Sequence, residues 1–122
     1  MKTERPETFS EPDVSPCDGY HPTAHQGSAS SEEIERAAAF FRAAGDPSRL
    51  QLLERLGSGE ACVSELADGF NVGPSTLSQR LRVLRDVGLV QRRRDGRHVY
   101  YALANKHVHA ILKAALDHAQ GT

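Results

Sequence analysis

The chain has 122 residues, of which 39% are hydrophobic and 25% charged, with two cysteines and a formal net charge of −1; this fits one small domain with a modest core and leaves too little chain for a second. No apolar run approaches the ~20 residues of a membrane span and the N-terminus lacks the apolar stretch of a signal peptide, so a cytoplasmic protein with no membrane partner is expected. The near-neutral total conceals a polarity: six Lys/Arg stand against thirteen Asp/Glu up to Phe70 and nine against three thereafter, net −7 and +6, and the basic half suits a polyanion.

Residues 1–30 hold four of the six prolines and little apolar periodicity, which predicts a flexible arm with no core of its own. The arm nevertheless carries Cys17, His21 and His25. The remainder, 31–122, reads as the folded domain. Ser31 is the expected cap of a first helix whose opening turn holds Glu32, Glu33 and Glu35, suited to the positive end of the helix dipole. Ile34, Ala37, Ala38 and Phe41 follow as an apolar stripe.

Asp46-Pro47 marks a second helix start, a side-chain acceptor followed by a residue with no amide hydrogen to satisfy; Leu50, Leu53 and Leu56 line that helix up to Gly57. A short third helix places Val63, Leu66, Ala67 and Phe70 on one face, and Asn71-Val72-Gly73 turns the chain. Pro74 then opens a fourth helix with Leu77, Leu81 and Leu84 inward, which Gly88 stops. Leu89-Val90, an arginine run, Asp95-Gly96 and Val99-Tyr100-Tyr101 read as two strands joined by a tight hairpin. From Asn105 to about Ala119 a last helix presents Val108, Ile111, Leu112, Ala115 and Leu116, an apolar face broad for so small a domain.

The expected fold is therefore mainly α with a small β-hairpin, a winged helix-turn-helix. In that geometry the second helix of the motif enters the major groove of double-stranded DNA. Its early polar residues are Ser75, Thr76, Ser78, Gln79 and Arg80, of which Gln79 and Arg80 have the side chains for paired hydrogen bonds to adenine and guanine edges. Arg82, Arg85, Arg92, Arg93, Arg94 and Arg97 are better suited to phosphates, which position a protein without reading sequence. An arginine run is commonly just a solvated face. Here four arginines fall within the six residues 92–97, directly after the helix-turn-helix pattern, while most acids lie elsewhere.

The segments FFRAAGDPSRLQLLERL, EACVSELA and STLSQRLRVLRDVGLVQRRRDGRHVYYAL resemble the ArsR/SmtB family of metal-sensing repressors, in register over roughly residues 31–119. The resemblance implies a homodimer bound to an operator over the promoter of efflux or sequestration genes, which leaves the DNA when metal binds. It also implies a ligand set of arm Cys and His with helix Cys and acid, which here falls on Cys17, His21, Cys62 and Glu65. The family's zinc-sensing pattern has Asp where this chain has Glu65, and in this chain His25 and Asp18 are alternative ligands to Glu65. Two thiolates, an imidazole and a carboxylate suit Zn(II), Cd(II) or Pb(II) over Mg(II) or Ca(II). A second family site, on the last helix, falls on Asn105, His107, His118 and Gly121. Both family carboxylates are missing there, which implies a degenerate site unless His109 and Asp117 compensate.

Two other readings use the same residues. A repressor switched by thiol oxidation would join Cys17 to Cys62 and would need neither His21 nor Glu65. A Cys-His hydrolase would need an orienting third residue and a nucleophile elbow, and neither is evident. No enzymatic activity is expected.

Overall fold

Each helix start in the computed structural model, which describes residues 28–121, is set by a local device legible in the residues. Helix α1 (Ser31–Ala44) is capped by Ser30, one residue earlier than expected. The Ser30 hydroxyl accepts from the Glu33 amide at 3.1 Å and Glu33 Oε1 accepts from the Ser30 amide at 2.8 Å. This reciprocal pair needs a carboxylate three residues after the cap. Ser30 has Glu33 there, whereas Ser31 would have Ile34.

Helix α2 (Pro47–Gly57) starts as Asp46-Pro47 requires, with Asp46 Oδ2 accepting from the Arg49 amide at 3.1 Å. The Arg49 guanidinium reaches back to the carbonyl of Ala43 at 2.8 Å, tying the end of α1 to the start of α2. Beyond α2 lies an element absent from the sequence reading, the two-residue strand β1 (Ala61–Cys62). It leads straight into α3 (Val63–Phe70), which ends at Asn71 in the left-handed conformation, φ 56°. Asn tolerates that region better than most residues, and the turn it makes sets α4 (Pro74–Asp86) against α3.

Strands β2 (Val90–Asp95) and β3 (His98–Leu103) form the wing, and the three strands run in the antiparallel order β1-β3-β2. Asp95 pairs with His98, so the two-residue loop is Gly96-Arg97, not the Asp95-Gly96 of the sequence reading. Gly96 takes the first loop position at φ 64°, where a hairpin matched to the strand twist demands a positive value. Helix α5 (Lys106–Ala119) follows, with Asn105 as its cap.

Glu35–Thr122 forms one unit around a single core. Leu52, Leu53 and Leu56 of α2, Leu66 of α3 and Leu77, Leu81 and Leu84 of α4 meet there with Leu89, Tyr101, Val108 and Leu112. The stripe expected on α1 does not line this core. Ala43 and Ala44 are buried and Phe40 packs against it, while Phe41 is 61% exposed. On α5, Val108 and Leu112 face inward and Ile111 is 41% exposed.

Leu81 is fully buried at the centre of the inward face of α4. Leu81→Ala should lower unfolding free energy by about 2–5 kcal/mol, the usual cost of a leucine-sized cavity, as read from urea denaturation. A loss below about 1 kcal/mol would mean that α4 is not anchored there.

Candidate nucleic-acid interface and effector site

With three leucines of α4 turned inward, the opposite side of that helix is polar by elimination. Ser75, Thr76, Ser78, Gln79 and Arg82 are exposed and, with Pro74, rim an open concavity of about 620 Å³. Their spacing of three, four and seven residues makes one continuous outward face. Arg80 differs. It is half-buried, because it lies three residues after Leu77 and four before Leu84 and so at the flank of the inward stripe; Gln79 is the better presented of the two side chains expected to read bases.

The wing arginines also divide. Arg92, Arg94 and Arg97 are exposed, and their side chains form no ion pair or hydrogen bond among the described residues. Arg93 is held. Its Nε and Nη2 donate to the two carboxylate oxygens of Glu60 at 2.9 and 2.8 Å, and its guanidinium lies 4.7 Å from the centre of the Tyr100 ring. The hydrogen bonds from Arg93 hold the Glu60 carboxyl below the usual carboxylate range, and Glu60 in turn raises the Arg93 guanidinium. Sequence reasoning had no signal for Glu60, since its partner is 33 residues away.

Of the four side chains expected to hold a metal, Cys17 and His21 lie outside the described residues, as do Asp18 and His25. Cys62 and Glu65 are described. Cys62 is a half-buried free thiol at the junction of β1 and α3, with Sγ 3.2 Å from Ser64 Oγ. Glu65 Oε1 accepts from the Cys62 amide at 2.9 Å. That amide first, and then the Cys62 thiol, hold the Glu65 carboxyl below its ordinary range. A thiol and a carboxylate brought against each other fit a soft divalent cation. The same geometry is also a helix cap: Cys-x-x-Glu stands where Ser/Thr-x-x-Glu is the common pattern, and a Glu at this position reaches back to the amide of the capping residue. That local role accounts for Glu65 in a place where the family resemblance leads one to expect Asp. Among the described residues, no three His, Cys, Asp or Glu side chains converge on one point.

The second expected site is dispersed in one copy of the chain. Asn105 Oδ1 accepts from the amides of His107 and Val108 at 2.9 and 3.0 Å, so this residue serves as the cap of α5. His107 and His118 are exposed near opposite ends of the 14-residue helix, roughly 16 Å apart along its axis. Only a second copy could bring them together. His109 instead faces Gly57 across a cleft of about 240 Å³ between α2 and α5, and Asp117 carries an ion pair with Lys113 at 2.9 Å.

A reader helix with a polar outer face, set beside an arginine-bearing hairpin, defines a winged helix-turn-helix protein. Comparison with known proteins narrows the class. The family model described as bacterial regulatory protein, arsR family, matches residues 46–92. A transcriptional repressor SmtB homolog from Synechocystis sp. is 44% identical over 91 residues, covering 75% of this chain and 69% of that protein. The cadmium resistance transcriptional regulatory protein CadC homolog from Staphylococcus aureus is 33% identical over 82 residues, covering 66% of this chain and 68% of its own. Among solved structures, a homodimeric winged helix-turn-helix DNA-binding domain from Mycobacterium bovis superposes with a TM-score of 0.71 at 28% identity, over 76% of this chain and 89% of that one. The protein belongs to the arsR family of bacterial regulatory proteins. No helix among the described residues is long and apolar enough to cross a membrane.

Because Glu65 is held by an amide donor, its carboxyl should titrate below a model-peptide glutamate in metal-free protein, by carbon-detected NMR. The sign follows: a lowered folded-state value stabilises the α3 start at neutral pH, and the contribution disappears as pH falls through the Glu65 transition. A Glu65 titration at or above the model value would remove the cap.

Proposed function

We propose that the protein is a metal-responsive transcriptional repressor that binds double-stranded operator DNA as a homodimer and dissociates when Zn(II), Cd(II) or Pb(II) binds, derepressing efflux or sequestration genes in the cytoplasm. The observation that carries this reading is the position of Cys62. The free thiol sits at the first turn of α3, whose other end turns directly into the reader helix α4. A ligand at Cys62 thus acts on the helix packed against the one that meets DNA.

Gln79 reads base edges with help from Ser75, Thr76 and Ser78, and Arg82, Arg92, Arg94 and Arg97 neutralise phosphates. Exposed Phe41 on α1 and Ile111 on α5 supply apolar surface for a partner copy, in keeping with the homodimeric relative. Cys17 and His21 of the arm and Cys62 and Glu65 of the core would hold the metal. The ion, when bound, supplies a cross-link between the arm and α3. Glu65 holds the Cys62 amide through Oε1, and a cation drawn to the same carboxylate weakens that hydrogen bond, which loosens the cap of α3 and disturbs its packing against α4. DNA and metal then oppose each other reciprocally, with a coupling of about 1–3 kcal/mol as is typical of allosteric proteins.

Cys62→Ser should fold and bind operator, but metal should no longer displace it in a mobility-shift titration. The sulfur-to-metal charge-transfer band seen with Cd(II) in reduced protein should weaken with Cys17→Ser or Cys62→Ser, and His21→Ala should weaken binding less than either. Displacement of Cys62→Ser at the original metal concentration would defeat the reading, and release by peroxide alone would favour the Cys17–Cys62 disulfide switch instead.

His107→Ala with His118→Ala should leave metal release and the dimer intact, because Asn105 and Gly121 supply no carboxylate. Gln79→Ala should relax sequence preference across operator variants. An unchanged preference would remove Gln79 from base readout.

A further inference from the structure

The wing carries four arginines in six residues, yet only three of them are available to a phosphate. Arg93 meets Glu60 with two parallel hydrogen bonds, Nε to Oε2 at 2.9 Å and Nη2 to Oε1 at 2.8 Å. This is the fork-to-fork geometry with which a guanidinium grips a phosphate diester. The third nitrogen, Nη1, lies 3.8 Å from Asp95 Oδ2. One face of the guanidinium stacks on Tyr100 at 4.7 Å. Every nitrogen of Arg93 therefore has an acidic neighbour already.

An exposed ion pair alone is a weak constraint that a phosphate could readily displace. Two features strengthen this one. The bidentate geometry and the stacked ring fix the guanidinium on several sides, which lowers the ordering needed to keep the pair formed. Glu60 is also anchored through the chain. It immediately precedes β1, whose Ala61 and Cys62 pair with Tyr101 and Tyr100 of β3, and Arg93 pairs with that same Tyr100 from the other side. Glu60 and Arg93 thus reach toward each other across β3, over Tyr100. Sequence neighbours Arg92 and Arg94 project from the opposite side of the ribbon and have no such partner.

We propose that Glu60 stands in for a DNA phosphate and withholds Arg93 from the backbone, so that the wing binds polyanions through Arg92, Arg94 and Arg97 while Arg93 serves as a strut between β1 and β2. The carboxylate is a built-in brake on sequence-independent DNA affinity. A fourth free arginine would tighten binding to every duplex alike and so narrow the margin by which an operator is preferred. This rests on the DNA-binding reading of the wing. This role for Arg93 departs from the sequence expectation that it contacts phosphate.

The test uses the full reduced chain and a fluorescent duplex of random sequence, with affinity measured by anisotropy across a range of NaCl concentrations. Arg94→Ala should flatten the slope of log affinity against log salt by about one, the value of a lost phosphate contact. Arg93→Ala should leave the slope unchanged. Glu60→Gln, which keeps the shape and removes the charge, should tighten binding severalfold at low salt and steepen the slope by about one. The double variant Glu60→Gln/Arg93→Ala should return to the original slope. Glu60→Ala should repeat the Glu60→Gln result, with circular dichroism reporting that each variant is folded. A flattened slope in Arg93→Ala alone would overturn the proposal, and so would a gain in Glu60→Gln that persists in the double variant, since that gain would come from net charge and not from Arg93. An unchanged slope in Arg94→Ala would instead remove the wing from the DNA interface, and the proposal with it.

Discussion

The burial of Leu77, Leu81 and Leu84 is the constraint on which the rest of the molecule depends. These three side chains of α4 are completely inaccessible to water, packed among leucines of α2 and α3 and against Leu89. A helix with one face committed so fully has no rotational freedom about its axis. Ser75, Ser78, Gln79 and Arg82 are on the outside because the leucines are inside, and a reading surface held by a close-packed core needs little ordering when DNA arrives. The half-burial of Arg80 follows from the same geometry: it lies three residues after Leu77 and four before Leu84, on the flank of the inward stripe.

Electrostatics then decides what that surface meets. The acidic and basic halves nearly cancel in sum but not along the chain, and the hairpin concentrates arginine after the helix-turn-helix. The acid that matters most to the wing is a single one. Glu60 comes from the acidic half and is delivered to the basic half by a strand two residues long. Short as it is, β1 turns a two-stranded ribbon into a three-stranded sheet and joins the start of α3 to the hairpin. Cys62 is the last residue of that strand and also the cap of α3, so wing, sheet and helix-turn-helix converge on it.

The Cys62–Glu65 pair shows how a helix cap also sets two ligand-type side chains side by side. A carboxylate three residues after a capping residue satisfies an otherwise orphaned amide, and the same spacing puts a thiol beside a carboxylate.

Much of this was legible in the residues. The starts of α2 and α4 were marked by Asp46-Pro47 and Pro74, the turn by Asn71, and the inward leucines of α4 by their spacing, because caps, prolines and apolar period act over three or four residues and need no knowledge of the rest of the chain. The class of fold followed from their order, and the outward face of α4 followed from the leucines. The Ser30 cap and the Gly96-Arg97 loop each missed by one residue, since adjacent serines and an Asp-Gly pair offer competing local solutions. What the sequence could not reveal is whatever depends on contacts between distant residues. Strand β1 is too short to carry a period and exists only because β3 offers it an edge. Phe41 reads as core from its spacing, but the core has no room for it once Phe40, Ala43 and Ala44 are seated. Arg93 is chemically identical to Arg92 and Arg94, and only the sheet, by bringing Glu60 across 33 residues of chain to one of the three, makes it different.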